Sequence, residues 1–92
     1  MIIAVDFDGT LKIGKEPNLP LMQRLCAEQK KGNIVILWTC REGKSLVEAL
    51  TFLQVNGFRP NYVNQNAPEA IRMLKRDPRK IYADIYIDDK GR

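Results

Sequence analysis

Two carboxylates close the first apolar run of this chain. Asp6 and Asp8 lie two positions apart in Asp6-Phe7-Asp8-Gly9-Thr10, directly after Met1-Ile2-Ile3-Ala4-Val5. An apolar run of that kind reads as a buried strand. Alternate residues of a strand face the same way, so a strand continued through the acids would bring both side chains to one side. Like charges so close repel unless something relieves them, and a divalent cation is the usual relief. Open α/β sheets take their ligands at the carboxyl ends of strands. The motif therefore reads as a metal-assisted carboxylate site. The plainer alternative is a strand-to-turn junction, where Asp and Gly are common.

Composition narrows the chemistry. The chain has 92 residues and no histidine, which removes imidazole bases and imidazole metal ligands. Cys26 and Cys40 are too few for a disulfide scaffold or a structural zinc site and read as reduced thiols. Any metal must then sit among oxygens, which favours magnesium. Fifteen basic and eleven acidic residues give a net charge of +4, consistent with an anionic ligand, with nucleic acid, or with a solvated basic surface. No RNA-binding aromatic signature or zinc finger accompanies it. No apolar run approaches the roughly 20 residues of a membrane span, and the first one lacks the flanks of a signal peptide. The expectation is a cytoplasmic, soluble, single domain.

The elements that must position the acids alternate between strand and helix, which argues for a parallel sheet with helices packed on it. The first strand is expected over about Ile2 to Asp6. A polar stretch with Gly14 and Pro17 follows, then a helix from about Leu19 to Lys31, N-capped by Asn18 and ended by Gly32. Asn33 to Trp38 reads as the second strand, with Trp38 in the core, and Thr39-Cys40-Arg41-Glu42-Gly43 as the loop at its carboxyl end. A second helix is expected from about Lys44 to Val55, with Ser45 and Glu48 as a capping box. Tyr62 to Asn64 reads as a short strand. Asn66 is the expected cap of a helix from about Ala67 to Lys75, broken at Asp77-Pro78. The last strand is expected over Ile81 to Ile87, ending in Asp88-Asp89.

Three strand ends thus carry polar groups: Asp6 and Asp8, Thr39, and Asp88 with Asp89. Right-handed crossovers put the carboxyl ends of parallel strands on one edge, so these groups converge if the second and last strands flank the first. In this the chain resembles the haloacid dehalogenase (HAD) superfamily of phosphotransferases. Asp6-Phe7-Asp8-Gly9-Thr10 matches that family's first motif, Leu37-Trp38-Thr39 the second, and Ile85-Tyr86-Ile87-Asp88-Asp89 the fourth. Lys80 is the candidate for the third motif, a single cation, with Lys75, Arg76 and Arg79 close by in sequence.

The resemblance implies a HAD-like Rossmannoid fold: three layers, α/β/α, around a mostly parallel sheet of about four strands in the order 3-2-1-4. It implies a magnesium-dependent phosphatase. Asp6 is the nucleophile that forms an aspartyl-phosphate. Asp8 is the general acid and base, its pKa raised by its acidic neighbours. Thr39, Cys40, Arg41 and Lys80 would contact the phosphate, Thr39 through its hydroxyl and the loop through its amides, with Lys80 also holding Asp6. Arg41 could instead grip a second anionic group or be solvated, and the Cys40 thiol reads as a small packing group. Magnesium would be held by Asp6, the Asp8 carbonyl and Asp88, with Asp89 orienting a metal-bound water. Many relatives carry a cap domain. The short connections here imply a capless, open site suited to a large phosphorylated substrate, a nucleic-acid end included, or to a homo-oligomer whose neighbour supplies the lid. Family members usually continue past the paired acids, so the last strand is expected to be an exposed edge or to pair with another chain, or the sequence to be a shortened form.

Three other functions compete with this reading. A phosphate-binding or partner-binding module without turnover would keep the same residues. A receiver-like switch needs an acid where Thr39 stands. A dinucleotide-binding domain needs a Gly-x-Gly-x-x-Gly after a strand, which is missing.

Overall fold

The computed structural model describes residues 1–76 and 81–89. Among the described residues nine elements follow one another: β1 (Ile2–Val5), β2 (Lys12–Ile13), β3 (Glu16–Pro17), α1 (Leu19–Lys30), β4 (Ile34–Leu37), α2 (Gly43–Val55), β5 (Tyr62–Val63), α3 (Pro68–Leu74) and β6 (Ile85–Ile87). Four strands form one sheet in the order β5-β4-β1-β6, and all its pairings are parallel. β1 is therefore flanked by β4 and β6, the third-second-first-fourth order expected for the main strands.

The central strands are apolar throughout because both faces of the sheet are covered. All four β1 residues are buried. On one face Ile3, Val5, Val35 and Leu37 pack with Met22 and Leu25 of α1 and with Ala49 and Leu53 of α2. Each such Leu contributes about 1.5–3 kcal/mol by leaving water. On the other face Ile2 and Ile36 pack against Ala67 and Ala70, at and within the short α3. This second layer is thin. Helix α1 begins as expected: the Asn18 side chain accepts from the Leu21 N–H at 3.3 Å, satisfying one donor of the first turn.

Four local expectations are corrected. The polar stretch after β1 is a small antiparallel hairpin, with Lys12 opposite Pro17 and Ile13 opposite Glu16. No side-chain cap forms at α2, whose N-cap is Glu42, because the Ser45 hydroxyl donates back to the Glu42 carbonyl instead. Asn66 does not cap α3. Its side chain accepts from the Tyr82 N–H at 2.6 Å, and α3 starts from Ala67 and Pro68. Finally, β6 is shorter than expected. The segment before it is tied into other bonds: Asp84 brackets Ile2, accepting its N–H on the side chain and donating its own N–H to the Ile2 carbonyl, both at 2.7 Å.

Candidate functional site

The site begins with register. Val5 pairs with Leu37 on one side and with Ile87 on the other. The ladder runs one residue further: the Trp38 N–H donates to the Val5 carbonyl, and the Asp6 N–H to the Ile87 carbonyl, both at 2.9 Å. Asp6 therefore stands between Trp38, which follows β4, and Asp88, which follows β6. Neighbouring strands are about 4.8 Å apart, so the acids from the two ends of the sequence meet at one edge of the sheet.

The turn after Asp6 is held from below. The Phe7 carbonyl accepts the N–H groups of Thr10, Leu11 and Lys12 at 3.0–3.2 Å. The Phe7 ring is buried and meets Phe52 edge-on, centroids 5.8 Å apart. Gly9 has φ +79°, and a Cβ there would lie 3.1 Å from the Asp89 Cβ. The first and last acidic segments thus touch at a position where a side chain is opposed twice, by backbone conformation and by space. Gly9→Ala is expected to cost about 1–2 kcal/mol and to lower the thermal midpoint by about 5 °C or more. A calorimetric scan showing no loss would contradict this close approach.

The two leading carboxylates have opposite electrostatics. Asp6 has its pKa raised, first by desolvation and then by the charges of Asp8, Asp89 and Asp88. The Phe7 N–H, donated to its Oδ1 at 2.7 Å, partly offsets this. Asp8 was expected to be raised by the same neighbours, and the structure corrects that: its pKa is lowered, chiefly because Arg41 grips it. Arg41 Nη2 donates to Oδ1 at 2.8 Å and Nε to Oδ2 at 3.0 Å. This two-point fork is the strongest geometry an arginine offers a carboxylate. The guanidinium also donates to the Ser45 carbonyl at 3.1 Å and lies 4.8 Å from the Phe7 ring centroid.

Thr39 ends the β4 side of the site. It is buried, its N–H donates to Asn64 Oδ1 at 2.8 Å, and its hydroxyl accepts the Arg41 N–H at 3.1 Å. A hydroxyl that accepts there keeps its proton for another acceptor. Asn64 is a site residue the motifs did not reveal. It takes φ +53° and donates its own N–H to the Leu37 carbonyl at 2.8 Å, bracketing the Thr39 turn. An Asn directly after a short strand was the available signal, since Asn tolerates that conformation.

Two further expectations change. Cys40 is exposed at the tip of its loop, so its thiol does not pack in the interior. Trp38 is 49% exposed rather than in the core, because β4 ends at Leu37 and Trp38 lies just past it at the carboxyl edge of the sheet. Lys80, the candidate third-motif cation, lies outside the described residues. Among the described residues no group of three or more His, Cys, Asp or Glu side chains is gathered closely enough to hold a metal ion, and the Asp8 side chain is committed to Arg41. The donor chemistry nonetheless suits a hard divalent ion. Asp6 and its acidic neighbours offer only oxygens, and their mutual repulsion is what such an ion relieves. No helix among the described residues is long and apolar enough to cross a membrane.

No family model matches the chain, and no curated protein matches it. A solved structure does: that of a conserved protein coded by a locus of Bacteroides thetaiotaomicron. It is 33% identical, with a TM-score of 0.75, over 99% of this chain and 77% of the other. At that identity over nearly the full length, the chain belongs to the same family as this conserved Bacteroides protein.

Proposed function

We propose that the protein is a HAD-like phosphomonoesterase that works through an aspartyl-phosphate on Asp6. The observation that carries this reading is the meeting of Asp6, Asp88 and Thr39 at one edge of a parallel sheet, with Asp89 against the Gly9 turn.

An Asp6 carboxylate oxygen attacks phosphorus, and the ester oxygen departs with a proton from Asp8. Water then attacks the phosphorus of the acyl phosphate, gives its proton to Asp8, and releases inorganic phosphate and the Asp6 carboxylate. Thr39 donates its hydroxyl proton to a phosphoryl oxygen, and the amides of Cys40 and Arg41 line the same loop. Asp6, the Asp8 carbonyl and Asp88 are the groups that would hold magnesium, which supplies charge neutralisation for the attack of one anion on another. Asp8 serves as an acid only after leaving the Arg41 fork, and an anionic substrate is the natural competitor for that guanidinium. The open edge fits a large phosphomonoester.

The test is hydrolysis of p-nitrophenyl phosphate with magnesium and with a chelator. Magnesium-dependent release of nitrophenolate is expected. The second reading, a phosphate-binding module, predicts phosphate binding with no turnover under either condition.

A further inference from the structure

Trp38 and Tyr86 form a pair that the chemistry above does not use. They are 49% and 40% exposed, and their rings meet edge-on with centroids 6.1 Å apart at 68°. They come from strands on opposite sides of β1. Tyr86 stands opposite Ala4, as does Ile36, and Trp38 follows Ile36 by two, on the same face of the sheet. Ala4 has the small side chain that lets two rings meet across a central strand, and it is 1% exposed beneath them. Asp6 follows Ala4 by two and lies beside Trp38, so the reacting carboxylate and the ring pair share one face. Tyr86 is also held in place. The Tyr86 hydroxyl donates to the Ile81 carbonyl and accepts the Ala83 N–H.

We propose that Trp38 and Tyr86 are a stacking platform that selects phosphomonoesters carrying a nucleobase. The proposal rests on the reading of Asp6 as the reacting carboxylate and adds the substrate class. Scattered apolar residues at a surface need no explanation. Beside the nucleophile, the edge-on contact with the anchored Tyr86 fixes the orientation of an exposed Trp38 ring, whose face is the flat surface offered. A nucleotide presents a flat base one sugar away from its phosphorus, which suits the short step from Asp6 to the rings. Stacking accepts any base, because every base has a π-face. At Asp8, two residues from Asp6, the Arg41 fork is suited to phosphate, and the net charge of +4 favours an anionic ligand.

Trp38 is the single tryptophan of the chain, so its emission reports the platform directly. In chelating buffer, adenosine monophosphate is expected to quench that emission saturably, and glycerol phosphate at equal concentration to leave it unchanged. No quench by the nucleotide, or equal quenching by both, overturns the proposal. With magnesium, the ratio of kcat/KM for adenosine monophosphate over glycerol phosphate is expected to fall about tenfold in Trp38→Leu and to recover in Trp38→Phe. An unchanged ratio also overturns it. Emission that shifts with protein concentration, together with sedimentation as a dimer, would make the pair a self-association surface and end the proposal. If the catalytic reading alone fails, neither ester is hydrolysed and the nucleotide-specific quench remains.

Discussion

Asp6→Asn is expected to lower phosphatase turnover by about 10³-fold or more while leaving the folded chain at least as stable as the unmutated one at neutral pH. The kinetic loss follows from role: the amide is a poor nucleophile toward phosphorus and cannot form the acyl phosphate. The stability result follows from electrostatics. Asp6 is desolvated and faces Asp8, Asp89 and Asp88, so its pKa is raised in the folded state. A carboxylic acid raised in this way binds its proton more tightly folded than unfolded. Its favourable contribution is complete below the ordinary carboxylate pKa and is lost as pH rises through the folded value. At neutral pH the ionised Asp6 therefore works against folding, and a neutral amide of the same shape relieves it. The amide oxygen can still accept the Phe7 N–H that Oδ1 now accepts at 2.7 Å. In chelating buffer the thermal midpoint of Asp6→Asn should exceed that of the unmutated chain at pH 7, and the gain should shrink as pH is lowered into the carboxylate range. Added magnesium should raise the midpoint of the unmutated chain more than that of the variant. A variant that is both inactive and markedly less stable at pH 7 would instead give Asp6 a structural role.

The strand and helix periods of the sequence carry most of this fold, because parallel strands and their covering helices leave strong apolar patterns. The runs Ile2–Val5 and Ile34–Leu37, the Asn18 cap and the end of α2 at Val55 are all readable in this way. What escaped was decided by bonds between distant residues. Whether Asn66 caps the next helix or receives the Tyr82 N–H depends on where the chain returns 16 positions later. Asn64 joins the site through Thr39, 25 positions away. Trp38 continues an apolar run and so reads as core. Its exposure follows from where β4 ends, at Leu37, which leaves Trp38 on the carboxyl edge of the sheet. The β2–β3 hairpin had a local signal, Gly14 at φ +62° opening a two-residue loop, but its strands are too short to alternate. At the site itself, the spacing of the acids and the strand order brought Asp6 and Asp88 together on paper as they lie in space. The spacing could not show that Asp8 has a closer partner than its acidic neighbours, because Arg41 lies 33 positions away.

That partner sharpens the expectation for Asp8. Asp8→Asn should slow esters with poor leaving groups by about 10²–10⁴-fold and p-nitrophenyl phosphate far less, because nitrophenolate departs without a proton. Stability should hardly move. A depressed carboxylate pKa stabilises the fold above the ordinary carboxylate range and loses that contribution as pH falls through the folded value. Here the Asp8 side chain is 59% exposed and its Arg41 partner 23%, so solvent screening keeps the pair under about 1 kcal/mol. The kinetic role of Arg41 is separable from that of Asp8. Arg41→Gln frees the Asp8 carboxylate but removes a phosphate-matching fork, so KM for an anionic ester should rise about tenfold while kcat on poor leaving groups falls less than in Asp8→Asn. Arg41→Lys should recover only part of the KM, since an ammonium cannot make the two-point contact. The steady-state constants of the three variants on an alkyl phosphate and on p-nitrophenyl phosphate decide the matter. Equal slowing of both esters in Asp8→Asn would remove the acid role and make the Asp8–Arg41 pair a brace for the two loops that carry it.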